Sequence, residues 1–176
     1  MNRLALSSFL GFVCLAVSAT LARADEVFLR IDGLAGDASL ATSTTNPASQ
    51  GWVRAEAVSG AHGLLQPGAT TPTFERITVT RTHGPSSTFF QSAAMVGNAI
   101  SSAAIDIRAT GAALPLTRLS LRNVFVRKVG TSYSTSRLPL EVIELEFGSI
   151  EWLYQAPMSN GVPGPVYRTK WTVGKI

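Results

Sequence analysis

The chain has 176 residues, of which 45% are hydrophobic and 15% charged, with 15 glycines and 9 prolines. That length suits one domain, and that balance excludes a disordered chain, a collagen repeat and a coiled coil. The formal charge of +4, from 15 basic and 11 acidic residues, is too small to imply a nucleic-acid partner by itself.

Residues 1–24 read as a secretory signal peptide. Met1-Asn2-Arg3 is a short basic start, Phe9 to Val17 is an apolar run, and Ala22-Arg23-Ala24 is an A-x-A cleavage site. The run is too short to span a bilayer comfortably. Cleavage is predicted between Ala24 and Asp25, which would leave an exported domain of residues 25–176, periplasmic or secreted, with no stable membrane anchor. The leader removes Arg3, Arg23 and the single cysteine, Cys14. The mature balance is then 13 basic against 11 acidic residues, and no disulfide or thiol chemistry remains. A domain of about 150 residues can bury a core without such staples.

Strand patterns dominate the remainder. Val27, Leu29 and Ile31 alternate with Phe28, Arg30 and Asp32, the period-2 pattern of a half-buried strand. Residues 37–50 are small and polar and predict a long loop. Trp52 to Val58 is a second strand, and residues 59–73, with three glycines and two prolines, are a second long loop. Arg76 to Arg81 alternates cleanly and ends at His83-Gly84-Pro85. Thr88 to Gly97 predicts the one short helix, with Thr88 and Gln91 in a capping box and Gly97 as its stop. Its Phe89 and Phe90 are placed to pack against an open barrel end. Strands follow over Ser102 to Ala109, Leu116 to Lys128, Leu138 to Tyr154 and Val166 to Val173.

The two longest strands share an irregularity. Leu119 and Leu121 have one parity, Val124 and Val126 the other; Ile143, Leu145 and Phe147 give way to Ile150, Trp152 and Tyr154. A one-residue slip turns every later side chain to the other face. A β-bulge near Arg122-Asn123 and another near Gly148-Ser149 would restore one apolar face. The alternative is two separate strands at each site. The predicted fold is therefore mainly β: a small antiparallel β-barrel with bulged long strands and one short α-helix. Gly148 is the expected structural bulge, and Trp152 and Tyr154 beside Leu153 give an apolar strand on both faces, expected at a subunit interface.

Catalytic patterns are sparse. His62 and His83 are isolated, no HExxH occurs, and no G-x-S-x-G elbow surrounds a serine. Gly60-Ala61-His62-Gly63 is too short for a phosphate loop and lacks its lysine. Glu141, Glu144, Glu146 and Glu151 invite a glycosidase reading, but alternation puts Glu144 and Glu146 on the solvent or lumen face. The arginines are spread over polar strand positions, as on any wet sheet face. No catalytic residue, cofactor or metal is expected.

Taken in order, the motifs resemble the Hcp family, the tube protein of type VI secretion systems. Glu26 to Gly36 is similar to its opening strand and IDG-x-x-G turn. Gly51-Trp52-Val53 with Ser59 to Gly63 resembles the second strand and its glycine-ending turn. Phe74 to Arg81 with Ser86-Ser87 resembles the strand leading into the helix. Leu140 to Trp152 resembles the E-x-V-x-L-x-F-G-x-I strand, and Lys170 to Val173 the last one. The resemblance covers about residues 26–174. It implies a non-enzymatic β-barrel that forms hexameric rings with copies of itself, rings that stack into a tube, and a role in delivering effectors with other secretion-system components. Tube subunits assemble in the cytoplasm, whereas a leader directs export. The alternative is thus an exported binding module that keeps the barrel and uses its mouth or the loops at 37–50 and 59–73.

Overall fold

The structure, a computed structural model, describes residues 25–34, 51–61, 63–64, 73–110, 112, 114–135, 138–157 and 163–173. The expected signal peptide, the loop at 37–50, most of the loop at 59–73 and His62 lie outside them.

In chain order the strands are β1 (Asp25–Ile31), β2 (Trp52–Ala55), β3 (Ala57–Ser59), β4 (Gly63–Leu64), β5 (Thr73–Phe74) and β6 (Ile77–Thr82). Then come α1 (Ser87–Val96), β7 (Ile100–Ala109), β8 (Thr117–Ser132), β9 (Leu140–Pro157) and β10 (Pro163–Thr172). The main sheet runs β2-β1-β7-β8-β9-β6-β3, with β10 added to β9 and a separate β4-β5 pair. Every pairing is antiparallel. The two ends of this order, β2 and β3, are consecutive in the chain. One expected strand over Trp52 to Val58 is in fact two, broken at Glu56, whose N–H donates to the Thr80 carbonyl at 2.8 Å. That corner carries the chain from β1's edge to β6's edge and curls the sheet into a nearly closed barrel, which leaves few unpaired edges.

Alternation fills the barrel. Along β6 burial strictly alternates, with Ile77, Val79 and Arg81 inside. Leu29, Ile31, Val53, Ala103, Ile105, Leu121, Ile143 and Leu145 face them from the other strands. Each fully buried Leu, Ile or Val adds about 1.5–3 kcal/mol relative to exposure. Helix α1 closes one end. Phe90 is fully buried in the core, and Phe89 meets it edge-on, with ring centres 5.7 Å apart. Gly97 ends the helix at φ 69°, its N–H returning to the Ala93 carbonyl. The expected capping box is corrected: the helix starts one residue earlier, and Thr88 sits inside it, with its hydroxyl donating to the Pro85 carbonyl at 3.3 Å.

The long hairpin β8–β9 changes parity where the sequence does, between Leu121 and Val124 and between Phe147 and Ile150. The two strands change together. Register is unshifted across the point, Arg122 facing Ser149 and Val124 facing Phe147; the one register shift in this pair falls between Val126 and Lys128. The irregularity thus consists of one extra residue in each strand, Asn123 opposite Gly148. Asn123 supplies the left-handed backbone, at φ 51°, a conformation asparagine adopts more readily than most residues. Gly148 keeps an ordinary φ and supplies room instead: a Cβ there would lie 3.0 Å from the Asn123 Cβ.

Candidate assembly surface

At the helix-capped end the buried charges pair with one another, although Glu141 Oε1 has no hydrogen-bond partner among the described residues. Arg81 and Glu141 are cross-strand neighbours on β6 and β9, both on the core side and 3% and 0% exposed, with Nε 3.7 Å from Oε2. The Ser87 hydroxyl donates to Glu141 Oε2 at 2.9 Å and accepts from the Gly84 N–H at 3.0 Å. Arg81 also donates to the Ser86 hydroxyl, and its guanidinium lies 5.5 Å from the Phe90 ring centre. Charges this deep persist only when paired and hydrogen-bonded. The cluster therefore locks the start of α1 to the barrel rim. Of the four carboxylates that invited a catalytic reading, Glu141 is absorbed by this lock.

The outer face uses its other charges in the same way. Asp106, fully buried, accepts from Arg118 at 2.6 and 2.7 Å and from Arg108 at 2.6 Å. The Arg108 guanidinium covers the Phe28 and Trp52 rings at 5.5 and 5.7 Å. Those hydrogen bonds to Asp106 raise the Arg118 pKa above its ordinary value. Glu144 lies beside Lys128 and Arg76 at 3.2 and 3.3 Å. Arg127 donates to both Glu146 carboxylate oxygens, from Nε at 2.9 Å and Nη2 at 3.0 Å. The Lys128 contact lowers the Glu144 pKa, and the Arg127 hydrogen bonds lower that of Glu146. Two carboxylates each held ionised by cations are poorly suited to share acid and base roles. Among the described residues, no group of three His, Cys, Asp or Glu side chains could hold a metal ion.

The far half of β9 is different. Beyond Leu145 it no longer pairs with β6, and β10 takes over that edge. The register sets Trp171 against Ile150, Thr169 against Trp152 and Tyr167 against Tyr154. Cross-strand partners share a face, so Trp171, Thr169 and Tyr167 lie on the side that Ile150 turns to the core. Phe74 covers part of it, 6.1 Å from Phe147 and 5.8 Å from Trp152. Past Phe74 the cover ends. Tyr154, Tyr167 and Trp171 are 47%, 61% and 47% exposed, and the two tyrosine rings stack on each other at 6.4 Å.

The residues singled out in the sequence therefore separate. Trp152 is half-buried under Phe74, and Tyr154 stands in the open aromatic row. Leu153 points to the opposite face, between Arg118 and Arg168 of the neighbouring strands. Tyr167 and Trp171 were not singled out, because only the β9–β10 register places them beside Tyr154. The Arg81–Glu141 pair was missed too, although a signal existed: both share the parity of the core residues Val79 and Ile143.

The fold is thus a nearly closed antiparallel barrel with one helix packed on its core and an exposed aromatic row on β9 and β10. Residues 28–154 match the family described as "Type VI secretion system effector, Hcp", and the chain belongs to that family. Among solved structures, one described as a type six secretion system protein superposes with a TM-score of 0.71 at 17% identity, covering 85% of this chain and 96% of its own. A type VI secretion system effector from Yersinia pestis gives 0.66 at 17%, covering 84% and 99%. Hcp1 from Salmonella typhimurium gives 0.65 at 14%, covering 85% and 95%. Nothing among curated protein sequences matches the chain. Among the described residues, no helix is long and apolar enough to cross a membrane.

Proposed function

We propose that this chain is a non-enzymatic ring-forming subunit of the Hcp type, assembling as a homo-hexamer whose rings can stack and take part in effector delivery. The observation that carries the reading is the aromatic row Tyr154, Tyr167 and Trp171, which continues the core-side face of β9 and β10 without cover. An exposed apolar patch of this kind marks an interaction surface. A ring needs a second, different surface to receive it, because a repeated heterologous contact closes only when unlike patches meet. The outer end of α1 offers one, with Met95 88% and Val96 61% exposed.

The leader-like residues 1–24 support an exported subunit, periplasmic or secreted. They also keep open the reading as an exported binding module that has the barrel without the tube. Negative-stain electron microscopy of purified protein separates the two. Closed rings with six-fold symmetry are expected; particles of single-barrel size at micromolar concentration would leave the binding module in front.

A further inference from the structure

The face of the sheet opposite the core holds a feature distinct from the aromatic row and the exposed end of α1. Strand register lines up two rows across five strands. One runs Arg30, Ala104, Ser120, Glu151, Lys170 over β1, β7, β8, β9 and β10. The next sets Ser102 against Arg122 and Arg122 against Ser149, with Asp32 at its end. Together they line an open concavity of about 340 Å³.

Its cations stand apart from the rest of the molecule. Every other described arginine and lysine sits in an ion pair with a carboxylate. Arg30, Arg122 and Lys170 make no ion pair or hydrogen bond with any described residue, and all three line this one concavity. The two acids on its wall are turned to others. Asp32 accepts from the Ser101 hydroxyl, and Glu151 faces Arg168 at 3.9 Å. Three exposed cations beside the hydroxyls of Ser102, Ser120 and Ser149 are donors without an acceptor.

We infer that this concavity binds a small molecule carrying more than one phosphoryl group. Two arginines present planar forks of N–H donors suited to phosphate oxygens, and a lysine adds a mobile point charge. Neighbouring strands lie about 4.8 Å apart. Arg122 on β8 stands two strands from Arg30 on one side and two strands from Lys170 on the other, so the three charges are spread along the concavity and meet an anion with more than one phosphoryl group better than a single one. Asp32 and Glu151 on the wall disfavour a long uniform polyanion, which sets the ligand apart from a nucleic-acid backbone. The serine hydroxyls would hold the uncharged part.

Titration calorimetry of the purified protein with inorganic pyrophosphate, at constant ionic strength, tests the site. Saturable binding is expected. It should weaken roughly tenfold or more in the double variant Arg122→Gln with Lys170→Gln, the scale for losing two charge-assisted contacts. Both side chains are exposed, so the variant's thermal midpoint should match that of the parent. Arg127→Gln, outside the concavity, should bind pyrophosphate as the parent does. Absence of saturable binding, equal binding by the double variant, or tighter binding of a single-stranded oligonucleotide than of pyrophosphate would each overturn the assignment.

Discussion

The two ends of β9 pose opposite physical problems. Its first half, from Leu140 to Leu145, runs between β6 and β8 beneath α1, and its inward side chains, Glu141 included, are buried within the chain. Its second half carries its apolar side chains onward between β8 and β10, where Phe74 covers Phe147 and Trp152 while Tyr154 stays exposed. One half stabilises the monomer. The other leaves Tyr154, Tyr167 and Trp171 in water, although such rings bury large apolar areas when a partner is present. Strand β9 thus divides into a half buried within the chain and a half that leaves aromatic rings exposed.

Substitutions should divide along the same line. The largest effect belongs to the buried half. Arg81→Met removes the one ionic partner Glu141 has among the described residues and leaves a buried carboxylate uncompensated. Loss of about 3–5 kcal/mol is expected from chemical denaturation; a change under about 1 kcal/mol would mean that the lock is dispensable. At the junction of the halves, Gly148→Val forces a branched side chain against Asn123. A cost of about 1–3 kcal/mol is expected, as for overpacking elsewhere, and an unchanged denaturation midpoint would refute the close contact.

In the exposed half the balance is expected to reverse. Tyr167→Ser with Trp171→Ser should cost the monomer no more than about 1 kcal/mol, the scale of exposed cross-strand pairs, while abolishing assembly. A large loss of monomer stability would show that these rings belong to the core. The smallest effect concerns the outer ion pairs. The Glu146 pKa is lowered in the folded state, chiefly by the Arg127 hydrogen bonds. Its contribution is therefore present above the ordinary glutamate value of 4.5 and fades as pH falls through the lowered one. For a solvent-screened pair this amounts to under about 1 kcal/mol. Glu146→Gln should narrow the stability gap between pH 7 and pH 3 by that amount; a wider gap would contradict the sign.

How far the sequence could be read follows from the same physics. Period-2 alternation in Ile77, Val79 and in Ile143, Leu145 reports on one strand alone, so the strands and their inner faces were legible. The helix was legible through Phe90 and Gly97, although Thr88 mimicked a cap it does not form. The parity change near Gly148 was visible, but its form was not. A single strand cannot reveal that Asn123 matches the extra residue on its partner. Register was equally hidden, so Tyr154 was found while Tyr167 and Trp171 were not. Charge was misread where it was buried. Arg81 and Asp106 look like members of a wet stripe until Glu141, Arg108 and Arg118 are brought beside them. The concavity of Arg30, Arg122 and Lys170 draws on residues 140 positions apart and has no linear signature.

The central claim is that the aromatic row on β9 and β10 joins subunits. Light scattering during size exclusion of the purified protein and of its Tyr167→Ser, Trp171→Ser variant, side by side at micromolar concentration, tests it most directly. The account predicts a mass of six copies for the parent and one copy for a still-folded variant. A monomeric parent, or a variant that keeps the parent's mass, would contradict it.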